Sequence, residues 1–180
     1  MVYVLLGRGF EETEAIAPVD LLRRAGVEVQ TAGIGSKTVE GGHGISVVAD
    51  IALDEINYEN MEMIVLPGGL GGVASILGSS QALDAVRFAW ENGRFVAAIC
   101  AGPTVLAKLG ITDDLNVTCY PGCETQMGSA NYVADVPCVT SGRVITGTSA
   151  GCAVPFGLAL IAALKGQDVA DAVERQIVIR

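Results

Sequence analysis

Short apolar runs that alternate with helical patterns are the feature that most restricts the fold of this chain. Val2–Leu6, Met63–Leu66 and Phe95–Ile99 are apolar at nearly every position. A strand of this kind is buried on both faces, which is typical of a parallel sheet covered by helices. Glu11–Ala25 and Ala82–Trp90 carry apolar residues at helical spacing. The alternation predicts an α/β fold, a doubly wound and mainly parallel sheet with helices on both faces.

The remaining segments extend this pattern to the end of the chain. The 180 residues are enough for one domain with a sizeable core. Neither a repeat nor a linker interrupts them, so residues 1–180 are expected to form a single domain. The other predicted elements are a strand at Val27–Ala32, a hairpin at Thr38–Val48, a helix at Pro103–Leu109, strand cores at Val117–Cys119 and Val144–Ile145, and helices at Pro155–Leu164 and Asp168–Glu174.

Composition argues against several classes of function. The net charge of -9 disfavours nucleic acid and anionic membranes as partners, because both need clustered lysine and arginine. The five cysteines are odd in number and include no C-x-x-C pair, so neither a disulfide framework nor a zinc ribbon is indicated. No run approaches the ~20 apolar residues of a membrane span, and the apolar N-terminus is too short for a signal peptide. We expect a cytoplasmic protein with reduced thiols and with no metal or cofactor.

Cys100 stands where the predicted strand Phe95–Ile99 turns into a helix. In a doubly wound sheet, functional residues lie beyond the carboxyl ends of the strands. The small residues Ala101 and Gly102 let the thiol stand clear, as in a nucleophile elbow with cysteine in place of serine. A helix N-terminus also favours thiolate, so a lowered pKa is expected. A small buried hydrophobe is the alternative, and the context favours the functional interpretation.

Two other segments follow strands at the same sheet edge. Glu11 and Glu12 are interpreted as charges that complement the dipole of the first helix. Glu14 has the position most suited to facing the sheet edge, where burial beside a thiol would raise its pKa and let it donate a proton. Pro67–Gly69 follows the strand Met63–Leu66, and its backbone N–H groups, with that of Ala101, could bind an oxyanion.

His43 is the only histidine in the chain. A cysteine nucleophile usually has a base beside it, so His43 is a candidate for that role. It lies in a glycine-rich segment that reads as a hairpin turn, and an exposed turn histidine is the favoured interpretation.

Three segments, in this order and spacing, resemble the ThiJ/PfpI superfamily, and most of all its parkinsonism-associated deglycase branch. They are GFEETEAIAPVDLLRRAG, IVLPGGLGG and FVAAICAGPTVLAKLG, and the resemblance runs from Val2 to about Leu164. It implies a flavodoxin-like sandwich, as in class I glutamine amidotransferases, and a homodimer. By resemblance, Cys100 matches the reactive cysteine and Glu14 its partner glutamate. Gly69 and Ala101 match the backbone donors, with Gly68 beside them in the pocket.

The chain departs from this family at the position of its usual histidine. Tyr120 occupies that place, flanked by Cys119. Tyrosine is a poor base at neutral pH but a usable hydrogen-bond donor, so proton transfer would be left to Glu14. His43 could instead act from near the dimer interface. Cys119 could condense with an oxidised Cys100 as a resolving thiol, although two reduced thiols are favoured.

Three functions are compatible with these residues. The first is a glyoxalase or deglycase in which Cys100 attacks a small reactive carbonyl such as methylglyoxal or its adducts. The second is a non-catalytic redox sensor or protective protein whose Cys100 oxidises to sulfinate. The third is another hydrolase or hydratase chemistry of the superfamily. The pair of Cys100 and Glu14 favours the first, and the absent family histidine argues against it.

Overall fold

The computed structural model describes residues 1–179 and is built around one seven-stranded sheet. Two smaller sheets have two strands each. The strands are β1 (Val2–Leu6), β2 (Val29–Gly33), β3 (Thr38–Glu40), β4 (Ser46–Val48), β5 (Ile51–Ala52), β6 (Met63–Leu66), β7 (Phe95–Ile99), β8 (Asn116–Val117), β9 (Asn131–Tyr132), β10 (Cys138–Ser141) and β11 (Val144–Gly147). The helices are α1 (Glu12–Arg24), α2 (Leu70–Leu77), α3 (Ser80–Glu91), α4 (Pro103–Lys108), α5 (Ala153–Lys165) and α6 (Gln167–Gln176). Short 3₁₀ turns occupy Leu53–Glu55, Tyr58–Asn60, Glu124–Gln126 and Ala150–Cys152.

The large sheet has the strand order β10-β11-β7-β6-β1-β2-β5. Every neighbouring pair is parallel except β10 with β11. The central strands β1 and β6 are buried at every position, which explains their continuous apolar sequence. The predicted α/β class with a mainly parallel sheet is confirmed.

Helices cover both faces of the sheet. Alternate side chains of β1 point to opposite faces, so Val4 joins one apolar cluster and Leu5 joins the other. The first cluster packs the sheet against α1, α5 and α6. The second packs it against α2, α3 and α4. This is the doubly wound arrangement that the alternation of runs predicts.

The order of the central strands brings three segments to one edge. β1, β6 and β7 are neighbours in the sheet and end at Leu6, Leu66 and Ile99. Because the three strands are parallel, the chain leaves all of them on the same side. The segments that begin at Gly7, Pro67 and Cys100 therefore meet there, as predicted.

One prediction of local structure was wrong. Val117–Cys119 was expected to be a strand core, but β8 ends at Val117 and pairs only with β9. The reason is that the Thr118 N–H donates to the Oγ1 of Thr146 and the Tyr120 N–H to the carbonyl of Cys100, which diverts the backbone from a sheet ladder.

Helix α2 was not predicted. Gly71 and Gly72 lie in its first turn and have poor helix propensity. They are needed because a Cβ at Gly72 would lie 2.7 Å from the Cα of Phe10 and one at Gly71 2.9 Å from the carbonyl oxygen of Arg8. Close packing on the loop after β1 thus determines this sequence.

Within residues 1–179, no helix has both the length and the apolar character needed to cross a membrane.

Candidate active site

Cys100 lies at a sharp turn between β7 and α4. Its φ of 64° places it in the left-handed region, which costs a residue with a side chain about 1–3 kcal/mol. The turn is held by hydrogen bonds on both sides, since the Cys100 N–H donates to the Gly147 carbonyl (2.9 Å) and its carbonyl accepts from the Tyr120 N–H (2.8 Å). A Cβ at Gly102 would lie 2.6 Å from the carbonyl oxygen of Leu66. The strained elbow inferred from the sequence is therefore present, with the glycine that it requires.

Glu14 is the buried carboxyl of this site. It lies in the first turn of α1 and is 0% exposed. Its Oε2 accepts a hydrogen bond of 2.8 Å from the Gly68 N–H, and its carboxyl lies beside the Cys100 side chain, close enough for each group to shift the pKa of the other. The other oxygen, Oε1, is buried without a hydrogen-bond partner. One oxygen is thus fixed by the protein, and the second is available to a proton or a bound molecule.

Gly68 allows the thiol and the carboxyl to meet. A Cβ at this position would lie 2.5 Å from Glu14 Oε2 and 2.7 Å from Cys100 Cβ. Real Cβ atoms are not found so close to other heavy atoms. A side chain here would push Glu14 and Cys100 apart.

Burial and mutual repulsion control the ionisation of the pair. Burial raises the pKa of Glu14 to about 7. The neighbouring Cys100 side chain and the Gly68 N–H oppose this rise, and the charge of Glu11 adds to it. Burial also raises the pKa of Cys100 to about 12, and the negative charge of Glu14 contributes next. Two adjacent buried negative charges repel each other. The pair therefore loses its first proton near neutral pH and its second proton only at a much higher pH.

The expectation that Cys100 has a lowered pKa is not met. The backbone N–H groups of Ala101 and Gly69 act in the expected direction and lower it. Their effect is outweighed by burial and by Glu14. In addition, α4 begins only at Pro103, so the helix N-terminus is displaced from the sulfur.

The structure places the two predicted backbone donors at the thiol. The backbone N–H groups of Ala101 and Gly69 act on the Cys100 sulfur and lower its pKa, although burial and Glu14 outweigh them. Gly69 has a φ of 81°, and a Cβ there would lie 2.4 Å from the carbonyl oxygen of Gly9. Two N–H groups that converge on a nucleophile can stabilise an oxyanion formed beside it.

Tyr120 and Cys119 lie next to the elbow but differ in exposure. Tyr120 is 50% exposed and touches the elbow through its backbone N–H. Cys119 is fully buried and packs with Val117 and Met127. Both Cys119 and Cys100 are free thiols. Burial raises the pKa of Cys119 to about 12, so it is a thiol at neutral pH, and its role as a resolving cysteine stays a prediction.

His43 binds to Glu12. Its Nδ1 lies 3.0 Å from Glu12 Oε2, and its backbone N–H donates to Glu12 Oε1 at 2.8 Å. The ring is exposed, and its hydrogen bond to Glu12, with the charges of Glu11 and Glu12, raises the pKa of His43. Among the described residues, no hydrogen bond joins His43 to Cys100.

Glu12 is an acidic residue of the first turn of α1, as expected, but it also binds a partner outside the helix. Glu12 is buried. Burial alone would raise its pKa, but hydrogen bonds from the His43 ring, from its own backbone and from the N–H groups of His43 and Ile45 hold it at about 2. Two adjacent glutamates in a first helical turn give no sign of a partner 31 residues away, so the sequence offered no signal for this contact.

Comparison with known proteins places this geometry in context. Residues 1–163 match the model of the DJ-1/PfpI family. Drosophila melanogaster protein dj-1beta is 35% identical over 178 residues, which cover 98% of this chain and 95% of the fly protein. A Caenorhabditis elegans relative named glutathione-independent glyoxalase DJR-1.2 is 34% identical over 160 residues, with 88% and 84% of the two chains covered.

Solved structures agree with these matches. The crystal structure of Drosophila melanogaster DJ-1beta matches with a TM-score of 0.95 at 34% identity, and the match covers 99% of this chain and 97% of the fly chain. The structure described as Toxoplasma gondii DJ-1, oxidized, matches with a TM-score of 0.93 at 28% identity, and the match covers 98% of this chain and 97% of the Toxoplasma chain.

Proposed function

Because the chain belongs to the DJ-1/PfpI family, we propose that it is a cysteine-dependent enzyme that acts on small reactive carbonyls. The proposed substrates are methylglyoxal or its adducts, and the proposed reaction is of the glyoxalase or deglycase type. The observation that carries this proposal is the close approach of Cys100, in a strained elbow, to the buried carboxyl of Glu14. The name of the nematode relative, a glutathione-independent glyoxalase, supports the same reaction class.

The first step is attack on the aldehyde. The singly charged pair holds its negative charge on Glu14, whose carboxylate takes the thiol proton of Cys100 as the sulfur attacks. The sulfur adds to the aldehyde carbon, and the electron pair of the C=O bond moves to oxygen. The N–H groups of Gly69 and Ala101 stabilise that oxyanion, an effect that in other enzymes is worth about 10²–10³ in rate per donor. Protonation of the oxyanion by Glu14 gives a hemithioacetal.

The second step is an internal proton transfer. Glu14 removes the proton from the carbon bonded to sulfur, which forms an enediol, and returns a proton to the neighbouring carbon. The aldehyde carbon is thereby oxidised and the ketone carbon reduced within the same molecule, so no external oxidant is needed. The product is a thioester on Cys100. Water hydrolyses it, which releases lactate and a proton and restores the pair.

Glu14 is the only acid–base group that this scheme requires. Its Oε2 is fixed by Gly68, and its Oε1 is free of protein partners. A carboxyl that is fixed at one oxygen can pick up and deliver protons at the other. Tyr120, in the place of the family histidine, serves as a donor at the pocket rather than as a base.

The test is lactate formation from methylglyoxal by the purified protein. We expect turnover in the wild type, a loss of at least about 10²-fold in Glu14→Gln and no turnover in Cys100→Ser. Cys138→Ser serves as the matched control, since Cys138 is also a half-buried free thiol but lies in β10, and it should retain activity. Wild-type protein that forms no lactate from methylglyoxal or from its hemithioacetals would refute the proposal.

A redox-sensing or stress-protective role is the second candidate. It is favoured by the close structural match to Toxoplasma gondii DJ-1 in a form described as oxidized. Peroxide would oxidise Cys100 to sulfinate, with each added oxygen supplied by one peroxide molecule that leaves as water. Protonated Glu14 and the N–H groups of Gly69 and Ala101 would hold the sulfinate oxygens. Intact mass after mild peroxide tests this role, because sulfinate adds two oxygen atoms and Cys100→Ser should gain none.

We also propose that the protein is a cytoplasmic homodimer. Ile16 on α1 and Val48 on β4 are 41% and 72% exposed and line one groove. Exposed aliphatic side chains that share a groove are typical of a protein–protein contact. Light scattering should give the mass of two chains, and Val48→Glu should shift it towards one. The five free thiols fit a reducing compartment.

A further inference from the structure

We propose that Glu11, Glu12 and His43 form a binding site for one divalent transition-metal ion, with Zn²⁺ as the reference metal. The site joins the first turn of α1 to the loop between β3 and β4. It is separate from the proposed chemistry at Cys100, and its occupancy does not depend on that chemistry.

The three residues bring suitable donor atoms together. Each offers one donor, and the three donors all lie within 4.8 Å of one another. Two carboxylate oxygens and one imidazole nitrogen suit Zn²⁺ and its neighbours in the first transition row better than Ca²⁺ or Mg²⁺, which prefer oxygen alone.

Two of the three donor separations are close to those of metal ligands. A tetrahedral Zn²⁺ with bonds of about 2.0–2.1 Å holds its ligand atoms about 3.3 Å apart. His43 Nδ1 lies 3.0 Å from Glu12 Oε2 and 3.6 Å from Glu11 Oε2. The two carboxylate oxygens lie within 4.8 Å of each other, so an ion would draw them together, with water completing its coordination.

The backbone around the donors is fixed before any ion binds. Glu12 Oε1 accepts from the N–H groups of His43 and Ile45, which leaves Oε2 directed at the imidazole. Two backbone hydrogen bonds of 2.8 Å, Gly9 N–H to the Glu40 carbonyl and Gly42 N–H to the Phe10 carbonyl, join the two loops.

Glycine is required for this approach. A Cβ at Gly41 would overlap the Glu12 carboxylate. The loop after β3 can therefore wrap around that carboxylate only with glycine at this position. Rigid ligands lose little freedom on binding an ion, which favours affinity.

The charge of the cluster also favours a cation. Over the residues that the structure describes, ion pairs to Glu11 and Glu12 come from His43 alone. When the metal binds at Nδ1, it replaces the proton that the ring shares with Glu12, so each ion bound by protonated His43 releases one proton to solvent.

The test must separate this site from the thiols, which also bind zinc. Protein carrying Cys100→Ser, freed of metal with a chelator, is titrated with Zn²⁺ by calorimetry in two buffers of different ionisation enthalpy. We expect one ion per chain and, at a pH where His43 is protonated, release of a proton. Adding His43→Gln or Glu11→Gln should each weaken binding at least about tenfold, since even the loss of an outer-shell partner costs that much.

Two controls keep the result interpretable. Cys123→Ser, in the same background, should leave the affinity unchanged, because Cys123 lies outside the cluster. Circular dichroism should show that each variant is folded; Glu12 is left intact because its carboxylate holds the loop. The proposal is overturned if no ion binds, or if binding is the same with and without His43 and Glu11.

Discussion

The contact between Cys100 and Glu14 depends on the missing side chain of Gly68. In Gly68→Ala the new methyl would overlap Glu14 Oε2 and Cys100 Cβ, so we expect the carboxyl to be displaced from the thiol. Lactate formation should then fall by at least about 10²-fold, the usual contribution of a positioned acid–base group. Gly151→Ala is the control, since the nearest atom to its Cβ, Ser149 Oγ, is 3.9 Å away. Equal activity in the two variants would contradict this role of Gly68.

Glu14 also sets how the thiol titrates. The carboxylate charge is the second cause, after burial, of the high pKa of Cys100. In Glu14→Gln this charge is gone, so Cys100 should titrate in a single step below the second step of the wild-type pair, near 12.

Thiolate absorbance at 240 nm, followed against pH with a chelator present, measures this difference. Cys100→Ser supplies the baseline for the other four thiols. A single step in Glu14→Gln at or above the second wild-type step would show that the charge of Glu14 does not control the sulfur.

The residues of the site were predictable to different degrees. Cys100 directly follows one apolar strand, and Glu14 lies one short loop after another apolar strand. Functional residues of a parallel sheet lie beyond the carboxyl ends of its strands, so both residues are expected at the same edge. Glu12 and His43 pair across two loops whose relative placement depends on glycine backbone contacts. A contact of that kind has no periodic signature in the sequence.

At the scale of elements, burial determines what the sequence reveals. Phe95–Ile99 and Met63–Leu66 were predicted with their observed bounds, because central parallel strands must be apolar on both faces. The limits of β2 moved by one or two residues, since the polar residues Glu28, Gln30 and Thr31 interrupt the apolar run there. Helix α2 was missed because its first turn was selected for close approach rather than for helix propensity.

Asp50 joins β2 to α1 and makes stability depend on pH. Its Oδ2 accepts from the Thr31 N–H at 2.8 Å and from Arg23 at 2.7 Å. Burial alone would raise the pKa of Asp50, but these hydrogen bonds and the charge of Arg23 lower it below 3.8. A carboxyl with a lowered pKa in the folded state stabilises the fold above its unfolded pKa. That contribution is lost as the pH falls through the folded-state value.

Asp50→Asn should therefore destabilise the protein more at pH 7 than in acid. We expect a loss of about 1 kcal/mol at pH 7, a modest value because the carboxylate is 39% exposed and solvent screens it. Urea unfolding at pH 7 and pH 3 measures the difference between variant and wild type. A difference of the same size at both pH values would show that the charge of Asp50 is not its source.

At the scale of the whole molecule, the packing of α1 on α5 connects stability to the site. Helix α1 carries Glu14 near its start and rests on α5 through Pro18 and Leu21. A Cβ at Gly157 of α5 would lie 2.6 Å from Leu21 Cδ1 and 3.2 Å from Pro18 Cα. The glycine lets the two helices approach closely, so it fixes how far α1, and with it Glu14, stands from the sheet.

Gly157→Val should affect both properties at once. Overpacking of a core typically costs about 1–3 kcal/mol, and we expect the free energy of unfolding to fall by about 2 kcal/mol. Displacement of α1 should also weaken the contact between Glu14 and Cys100 and reduce lactate formation. Gly157→Ala should give a smaller loss of both, because Leu21 Cδ1 is the end of a flexible side chain and can move aside. Urea unfolding and the lactate assay, on the same preparations, measure the two effects. Loss of stability with full activity would mean that α5 absorbs the added volume and that the position of Glu14 is fixed by the loop after β6 instead.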